Sequence, residues 1–129
     1  MPINDTLDLN VYYEDTDHSG LVYHANYLKY FERAREHFLG REALVRLYYD
    51  KGLGFVVYKA ELLYKEGAKF GDELQIRTRC EVKSDYRAIF HQGAHRDGRV
   101  LVEGQLHLVC VDGDNKLVRL PRALVDAVT

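Results

Sequence analysis

No stretch of this 129-residue sequence is apolar for 18 consecutive residues, the length that a membrane-spanning helix needs. The first ten residues, MPINDTLDLN, lack the charged start and the apolar run of a secretion signal. Basic and acidic residues nearly balance, at 18 against 20, so neither a nucleic acid nor a membrane surface is the expected partner. These absences predict a soluble, cytoplasmic protein without a membrane span.

Cysteine and serine are scarce, and they stand in the wrong contexts for nucleophilic catalysis. Cys80 and Cys110 fall in strand-like segments without zinc or disulfide spacing, so we expect both to be reduced core residues. The two serines, Ser19 and Ser84, lie outside any G-x-S-x-G motif. A serine or cysteine hydrolase triad is therefore not expected.

Hydrophobic periodicity predicts one long helix in the first third of the chain. Alternating apolar residues over 7–13 indicate a strand that ends at an acidic motif. Apolar side chains then recur at helical spacing over 26–39, and Gly40 is a typical helix end. A short second helix is expected over 41–49, and a closing helical turn over 121–128.

After residue 54 the apolar period changes to two, which predicts antiparallel strands with one wet face. The first of these strands would present Val56, Tyr58, Ala60, Leu62 and Tyr64 on one face. The Asp97-Gly98 pair predicts a two-residue hairpin turn that sets His91 opposite Gly104. In that register the core face of the hairpin consists of Ile89, His91, Gly93, Val102, Leu106 and Leu108.

The expected elements form one domain over residues 1–129, of the α+β class. A helix of 14 residues is about 21 Å long and cannot cover both faces of strands that run about 30 Å. The sheet should therefore curl around the helix, with Gly93 and Gly104 leaving room for it on the concave face. Its remaining edges would pair between subunits, so we expect a dimer or a larger assembly.

Residues 12–24, YYEDTDHSGLVYH, contain the densest group of chemically active side chains. The D-x-D-x-S-G run that begins at Asp15 is similar to an EF-hand loop, but a strand precedes it and Asn26 replaces the required glutamate. An aspartyl phosphatase would need further acidic and lysine residues downstream. A zinc site through His18 and His24 lacks a third ligand. We therefore expect no metal here.

A carboxylate pair, a histidine and several tyrosines remain, directly before a helix N-terminus. Free backbone N–H groups and the helix dipole can hold developing negative charge at such a position. A carboxylate nucleophile or base together with N–H donors makes an acyl-transfer site. In the competing interpretation, Asp15 and Asp17 only bind turn amides and cap the helix.

Residues 11–35, VYYEDTDHSGLVYHANYLKYFERAR, resemble the opening motif of the hotdog-fold acyl-CoA thioesterases, in the branch of 4-hydroxybenzoyl-CoA thioesterase and the Tol-Pal-associated thioesterase. The order of elements resembles that fold over essentially the whole chain, including FGDEL at 70–74 before a strand. The resemblance implies a curled antiparallel sheet of five or six strands wrapped around one long helix. It also implies an acyl-CoA thioesterase without a metal or other cofactor, coenzyme A being part of the substrate.

The family's roles carry over to three residues of this motif. The second acid, Asp17, would be the catalytic carboxylate, acting as nucleophile or as general base for water, while the first acid looks like a turn residue. His24 would polarise the thioester carbonyl through its backbone N–H. Tyr13 matches another residue implicated in the branch. A His-Ser pair follows the second acid where the family commonly has small residues.

The resemblance further implies a homodimer or homotetramer and a contact with an acyl-carrier protein. The alternative function is a non-catalytic module of the same fold that binds CoA or an acyl carrier. A hotdog dehydratase or isomerase that acts on acyl thioesters is disfavoured because its usual His-and-Glu helix pattern is not what precedes this helix. The CoA phosphates have no assigned partner, the candidates being Lys59, Arg87, Arg96, Arg99 and Arg119.

Overall fold

The structure, a computed structural model, describes residues 4–128, which form a six-stranded antiparallel sheet and three α-helices. The strands are β1 (Asn4–Asn10), β2 (Gly54–Tyr64), β3 (Glu73–Val82), β4 (Arg87–Arg96), β5 (Arg99–Val111) and β6 (Leu117–Val118). The helices are α1 (Asn26–Leu39), α2 (Arg41–Lys51) and α3 (Arg122–Val128). The strand order is β1-β3-β4-β5-β2, with the short β6 paired to β5. No helix within 4–128 is long and apolar enough to cross a membrane.

Helix α1 has the predicted bounds and packs on β1, β3 and β4. Tyr27, Tyr30, Phe31 and Ala34 recur every three or four residues and are almost completely buried. Gly40 ends the helix with a φ of 89°, a conformation that favours glycine. The predicted packing of a curled sheet around one helix is confirmed, and α2 follows as predicted but extends two residues further.

Strand β1 ends at Asn10, three residues earlier than predicted. Tyr13–Asp15 forms a single 3-10 turn instead of continuing the strand. The Asp15 carboxylate accepts a hydrogen bond from the Tyr12 N–H at 2.9 Å. Because this local bond takes a donor that strand pairing would need, it favours the turn over a longer strand.

The hairpin of β4 and β5 starts in the predicted register and then shifts by one residue. The turn predicts that Arg96 pairs with Arg99 and His95 with Val100, and both pairs are confirmed, but Leu101 is an extra residue on β5. Beyond this bulge, Gln92 rather than His91 lies opposite Gly104. The predicted His91–Gly104 pair is therefore wrong.

Because neighbouring strand residues face opposite sides, the shift reverses the expected face of β4. Its core face consists of Ala88, Phe90, Gln92 and Ala94. Ile89, His91 and Gly93 face the outer side, against the prediction. The predicted core residues of β5, namely Val102, Leu106 and Leu108, are buried as expected. Gly104 does leave room for α1, since a Cβ there would lie 2.8 Å from Cε2 of Phe31.

Strand β2 lies at the other edge of the sheet and also contains a bulge. Val57 pairs with Leu108 and Lys59 with His107, so Tyr58 is an extra residue. The Tyr58 ring packs against His107. The prediction that Val56 and Tyr58 share one face with Ala60, Leu62 and Tyr64 is therefore wrong, since Phe55 and Val57 take the positions on that face.

Both cysteines are buried and unpaired, as predicted. Cys80 lies on β3 and Cys110 on β5, in the core of the sheet. Burial raises the pKa of the Cys80 thiol to about 12, so this group stays protonated and unreactive at neutral pH.

Candidate active site

Residues 11–24 form two consecutive turns between β1 and α1. The 3-10 turn comes first, and an antiparallel bridge between Thr16 and Val22 then closes a second turn. Inside it, the Asp17 N–H donates to the Leu21 carbonyl at 2.8 Å. The Val22 N–H donates to the Ala68 carbonyl at 2.9 Å, which ties this loop to the segment before β3. These bonds hold the turn that contains Asp17 against the segment before β3.

Asp17 is half-buried and lies in the second turn. Its Oδ1 accepts a hydrogen bond from the Ser19 hydroxyl at 2.6 Å and another from the Ser19 N–H at 2.8 Å. These two bonds hold the pKa of the Asp17 carboxyl below its ordinary value, because they favour the ionised form. The side chain is thus a carboxylate at neutral pH, the form that a nucleophile or a general base requires.

Asp15 is buried, with 7 % of its surface exposed. Besides the bond from Tyr12 to its side chain, its backbone carbonyl accepts the Tyr23 N–H at 2.9 Å. Both bonds hold the loop together, which agrees with a turn role for this residue.

A buried polar group lies beside Asp15 under the start of α1. Burial and the neighbouring Asp15 carboxyl raise the pKa of Tyr30. Even so, the Tyr30 hydroxyl and Asn26 Nδ2 make no hydrogen bond of standard geometry with any residue in 4–128. The sequence placed both residues in the helix but did not indicate that their polar atoms would be buried there.

The N-terminus of α1 has no side-chain cap, so neither aspartate caps the helix. The Asn26 N–H donates to the Tyr23 carbonyl at 2.8 Å. The N–H groups of His24 and Ala25 donate to no acceptor among the described residues. Together with the positive end of the helix dipole, they form a site suited to an oxyanion.

His24 is exposed, and its main-chain position is held by a residue that the sequence did not identify. The hydroxyl of Tyr64, at the end of β2, donates to the His24 carbonyl at 2.8 Å. The Tyr64 ring also packs edge-on against Tyr27, with centroids 5.8 Å apart. Because a peptide group is planar, this bond also orients the N–H of Ala25. The one indication of this role in the sequence was a tyrosine at the end of a predicted strand, on the face that it shares with Ala60 and Leu62.

Tyr13 is 77 % exposed and packs against the Phe70 ring at 5.7 Å between centroids. Its carbonyl accepts hydrogen bonds from the N–H and the hydroxyl of Thr16. The structure thus brings Tyr13, Asp17 and His24 into one loop, without a direct contact between their side chains. Phe70, from the predicted FGDEL segment, lies beside this loop.

Two cavities lie away from this loop. A trough of about 730 Å³ crosses the outer face of the sheet, past Arg77, Arg79 and His91. A crevice of about 400 Å³ lies between α1, α2 and β2. Neither cavity is lined by Tyr13 or His24, and in a single chain the loop lies at the surface. Within the described range, no three His, Cys, Asp or Glu side chains cluster as metal ligands would.

The chain matches the Thioesterase-like superfamily over residues 11–128. The acyl-CoA thioesterase YbgC of Haemophilus influenzae is 36 % identical over 117 residues, which cover 88 % of this chain and 86 % of that protein. The YbgC protein of Helicobacter pylori is 40 % identical over 83 residues, or 64 % of this chain and 61 % of the relative.

Solved structures show the same fold. The probable thioesterase from Bartonella henselae has a TM-score of 0.85 at 31 % identity, covering 92 % of this chain and all of the other. A 4-hydroxybenzoyl-CoA thioesterase variant complexed with 4-hydroxybenzoyl-CoA has a TM-score of 0.88 at 14 % identity, covering 98 % and 99 %. At that identity the second likeness concerns the fold alone.

The chain therefore belongs to the Thioesterase-like superfamily, and its α+β architecture is the hotdog fold. It is a thioesterase, an enzyme that hydrolyses a thioester bond. The family resemblance seen in residues 11–35 is confirmed.

Proposed function

We propose that this thioesterase is a single-domain enzyme that hydrolyses acyl-CoA to a free acid and CoA, without a metal, using Asp17 as its catalytic carboxylate. The observation that carries the proposal is an ionised carboxylate in a fixed loop, seven residues before His24, whose N–H group, like that of Ala25 directly before α1, has no acceptor in the described range. The curated relatives from Haemophilus influenzae and Helicobacter pylori are named acyl-CoA thioesterases, which supports the substrate class.

In the proposed reaction, Asp17 attacks the thioester carbonyl carbon or removes a proton from a water that attacks it. The N–H groups of His24 and Ala25 hold the resulting oxyanion. The C–S bond then breaks and CoA leaves as a thiolate, which a thiol pKa of roughly 8.5 permits near neutral pH without full protonation. If Asp17 is the nucleophile, the acyl-aspartyl anhydride formed in this step is hydrolysed by water to regenerate the carboxylate.

We further propose that Tyr13 contacts the substrate. Its ring and that of Phe70 form an exposed aromatic pair beside the loop that contains Asp17. Large exposed aromatic rings suit a ligand that is part apolar and part polar. An acyl thioester of CoA is such a ligand.

The free edge of β2 supports a homodimer. Val56, Val57 and Tyr58 are exposed on this edge strand, which pairs with β5 on one side. An uncovered apolar edge strand invites pairing with another chain. We propose that two copies pair there, and that a homotetramer or an acyl-carrier contact would use other surfaces. The unpaired buried cysteines fit a reducing compartment, so we place the enzyme in the cytoplasm.

Thiol release from short, medium, long-chain and aromatic acyl-CoAs, measured with EDTA throughout, tests the proposal. We expect wild-type turnover to survive EDTA and to fall by about 10²-fold or more in Asp17→Asn, the scale for loss of a central catalytic group. Asp112→Asn is the matched control, since Asp112 Oδ1 likewise accepts two bonds within a tight turn, from the N–H groups of Asp114 and Lys116. It should retain wild-type turnover.

Full turnover by a folded Asp17→Asn protein would remove this residue from the mechanism. In the alternative function, the protein is a module that binds CoA or an acyl carrier without chemistry, and Asp17 is only a turn residue. The two bonds from Ser19 to Asp17 also fit that structural role. That alternative predicts binding of acyl-CoA without turnover of any thioester in the panel.

A further inference from the structure

Tyr27 lies in the first turn of α1, and its side chain is almost completely buried. Helical periodicity accounts for the burial of the ring, because Tyr27 is one of the regularly spaced residues that form the core. It does not account for the hydroxyl, a polar group that needs a hydrogen-bond partner inside the core. The partners of the ring and of the hydroxyl therefore indicate whether this residue does more than fill the core.

The turn that contains Asp17 is held by the segment before β3. The Val22 N–H donates to the Ala68 carbonyl at 2.9 Å, and the Phe70 N–H donates to the Gly20 carbonyl at 3.0 Å. These two backbone bonds bracket the end of the turn. The position of Asp17 therefore depends on where this segment lies.

The Tyr27 hydroxyl joins α1 to the same segment. It accepts a hydrogen bond from the Ala68 N–H at 3.1 Å. Within residues 4–128, no other hydrogen bond connects α1 with residues 65–72. Ala68 is fully buried, so water does not compete for this bond. The hydroxyl thus links the helix to the turn of Asp17 through a single residue.

The Tyr27 ring is linked to the peptide at the start of α1. It packs edge-on against Tyr64 at 5.8 Å between centroids and against Tyr30 at 5.9 Å. Edge-on aromatic pairs favour a defined relative orientation. The Tyr64 hydroxyl donates to the His24 carbonyl at 2.8 Å, and that peptide presents the Ala25 N–H. The ring contact therefore helps to place an oxyanion donor.

We infer that Tyr27 is a positioning residue, which sets the separation between the Asp17 carboxylate and the N–H groups of His24 and Ala25. This role presupposes the proposed function. In that reaction the carboxylate, or a water that it activates, approaches the carbonyl carbon while the N–H groups hold the carbonyl oxygen, so both must fit one substrate at once. The Tyr27 hydroxyl holds the first group through the segment before β3, and the ring holds the second through Tyr64.

Tyr27 does not contact the reacting atoms itself. Its side chain is only 2 % exposed, whereas the loop that contains Asp17 lies at the surface. Burial also raises the pKa of Tyr27, so the hydroxyl stays protonated near neutral pH. Any effect of Tyr27 on turnover therefore acts through the groups that it holds in place.

Tyr27→Phe removes the hydroxyl and keeps the ring, and Thr78→Val on β3 is the matched control. The Thr78 hydroxyl is also buried and accepts an amide N–H, from Gln92 at 3.0 Å. Each substitution takes an acceptor from a buried N–H group, so both should lower the melting temperature. We expect kcat for acyl-CoA to fall by about tenfold in Tyr27→Phe, with KM within about twofold of wild type, because the groups are misplaced in the transition state. Thr78→Val should keep the wild-type kcat.

An ester in place of the peptide bond between Gly67 and Ala68 removes the donor of the same hydrogen bond. It should lower kcat to the same extent as Tyr27→Phe, and it carries the test if that variant does not fold. In both proteins the acid limb of the kcat/KM profile should stay in place, because the bonds from Ser19 to Asp17 remain.

The double variant Tyr27→Phe/Tyr64→Phe tests whether the two connections hold one separation. Either loss alone lets the separation vary, so the combined fall in kcat should be about thirtyfold or less, below the product of the two single losses. A combined fall equal to that product would mean that the two residues act independently, and would overturn the inference.

An unchanged kcat in folded Tyr27→Phe, or an equal loss of kcat in Thr78→Val, would likewise overturn it. These outcomes differ from a failure of the proposed function, which full turnover by folded Asp17→Asn would reveal. A normal kcat in Tyr27→Phe together with an inactive Asp17→Asn removes only the role of Tyr27.

Discussion

Two aspartates of this enzyme sit in nearly identical turns, and only one precedes a helix. Asp17 Oδ1 accepts two hydrogen bonds from Ser19, and Asp112 Oδ1 accepts two from the backbone of Asp114 and Lys116. The turn after Asp17 leads into α1, whereas the turn after Asp112 leads into the two-residue strand β6. The local bonding of the two carboxylates therefore gives no reason to propose a catalytic role for one and not for the other.

The difference between the two turns lies in what surrounds them. The turn of Asp17 leads to the start of α1, where the N–H groups of His24 and Ala25 have no acceptor in the described range and the Tyr64 hydroxyl donates to the His24 carbonyl. The Asp112 N–H donates to the Lys116 carbonyl just as the Asp17 N–H donates to the Leu21 carbonyl, but the turn of Asp112 leads into β6 and not into a helix. A carboxylate becomes part of an acyl-transfer site only when oxyanion donors are placed beside it.

The largest expected effect is a loss of activity that follows substitution of Asp17 but not of Asp112, although both substitutions should reduce stability to a similar extent. Asp17→Ala and Asp112→Ala each delete two turn bonds, so both should lower the melting temperature by similar, small amounts. Turnover of acyl-CoA should fall by about 10²-fold or more in the first variant only. Calorimetric melting and thiol release on the same samples check this. A similar loss of activity in both variants would mean that the turn, not the carboxylate chemistry, matters.

The next effect concerns the peptide at the helix start. Tyr64→Phe removes the 2.8 Å bond to the His24 carbonyl and frees the peptide that presents the Ala25 N–H. We expect kcat to fall by about tenfold with little change in KM, because a donor to the oxyanion is misplaced in the transition state. Tyr58→Phe, on the same strand with its ring on His107, is the control. An unchanged kcat in Tyr64→Phe would remove Tyr64 from the positioning of this peptide.

The parts of the candidate site that could be predicted from the sequence are those that are close in sequence. Tyr13, Asp17 and His24 lie within twelve residues, so one motif contains them all. Tyr64 and Phe70 join them only because β2 and the segment before β3 dock against that loop. Periodicity placed Tyr64 on the same strand face as Ala60 and Leu62, but no local pattern indicates which group a hydroxyl at a strand end will contact.

In the fold as well, features that depend on neighbouring residues could be predicted, whereas the pairing between distant segments could not. The bounds of α1 follow from its periodic apolar residues and from Gly40, and the structure has them as predicted. The errors in the expected strand faces came from two bulges, at Tyr58 and at Leu101. A bulge leaves the alternation intact on each side and shifts only the pairing, so the expected faces of His91 and Gly93 were wrong.

The smallest expected effect is a shift in pH dependence that sharpens the comparison of the two turns. The Ser19 hydroxyl helps to keep the pKa of Asp17 low, so Ser19→Ala should raise that pKa toward its ordinary value. Because the carboxylate is the active form, the acid limb of the kcat/KM profile should move to higher pH, while rates near pH 7 stay unchanged. Ser84→Ala, which alters a turn before β4, should not move the limb. If the limb stays in place in Ser19→Ala while circular dichroism shows a folded protein, the group that titrates in it is not Asp17.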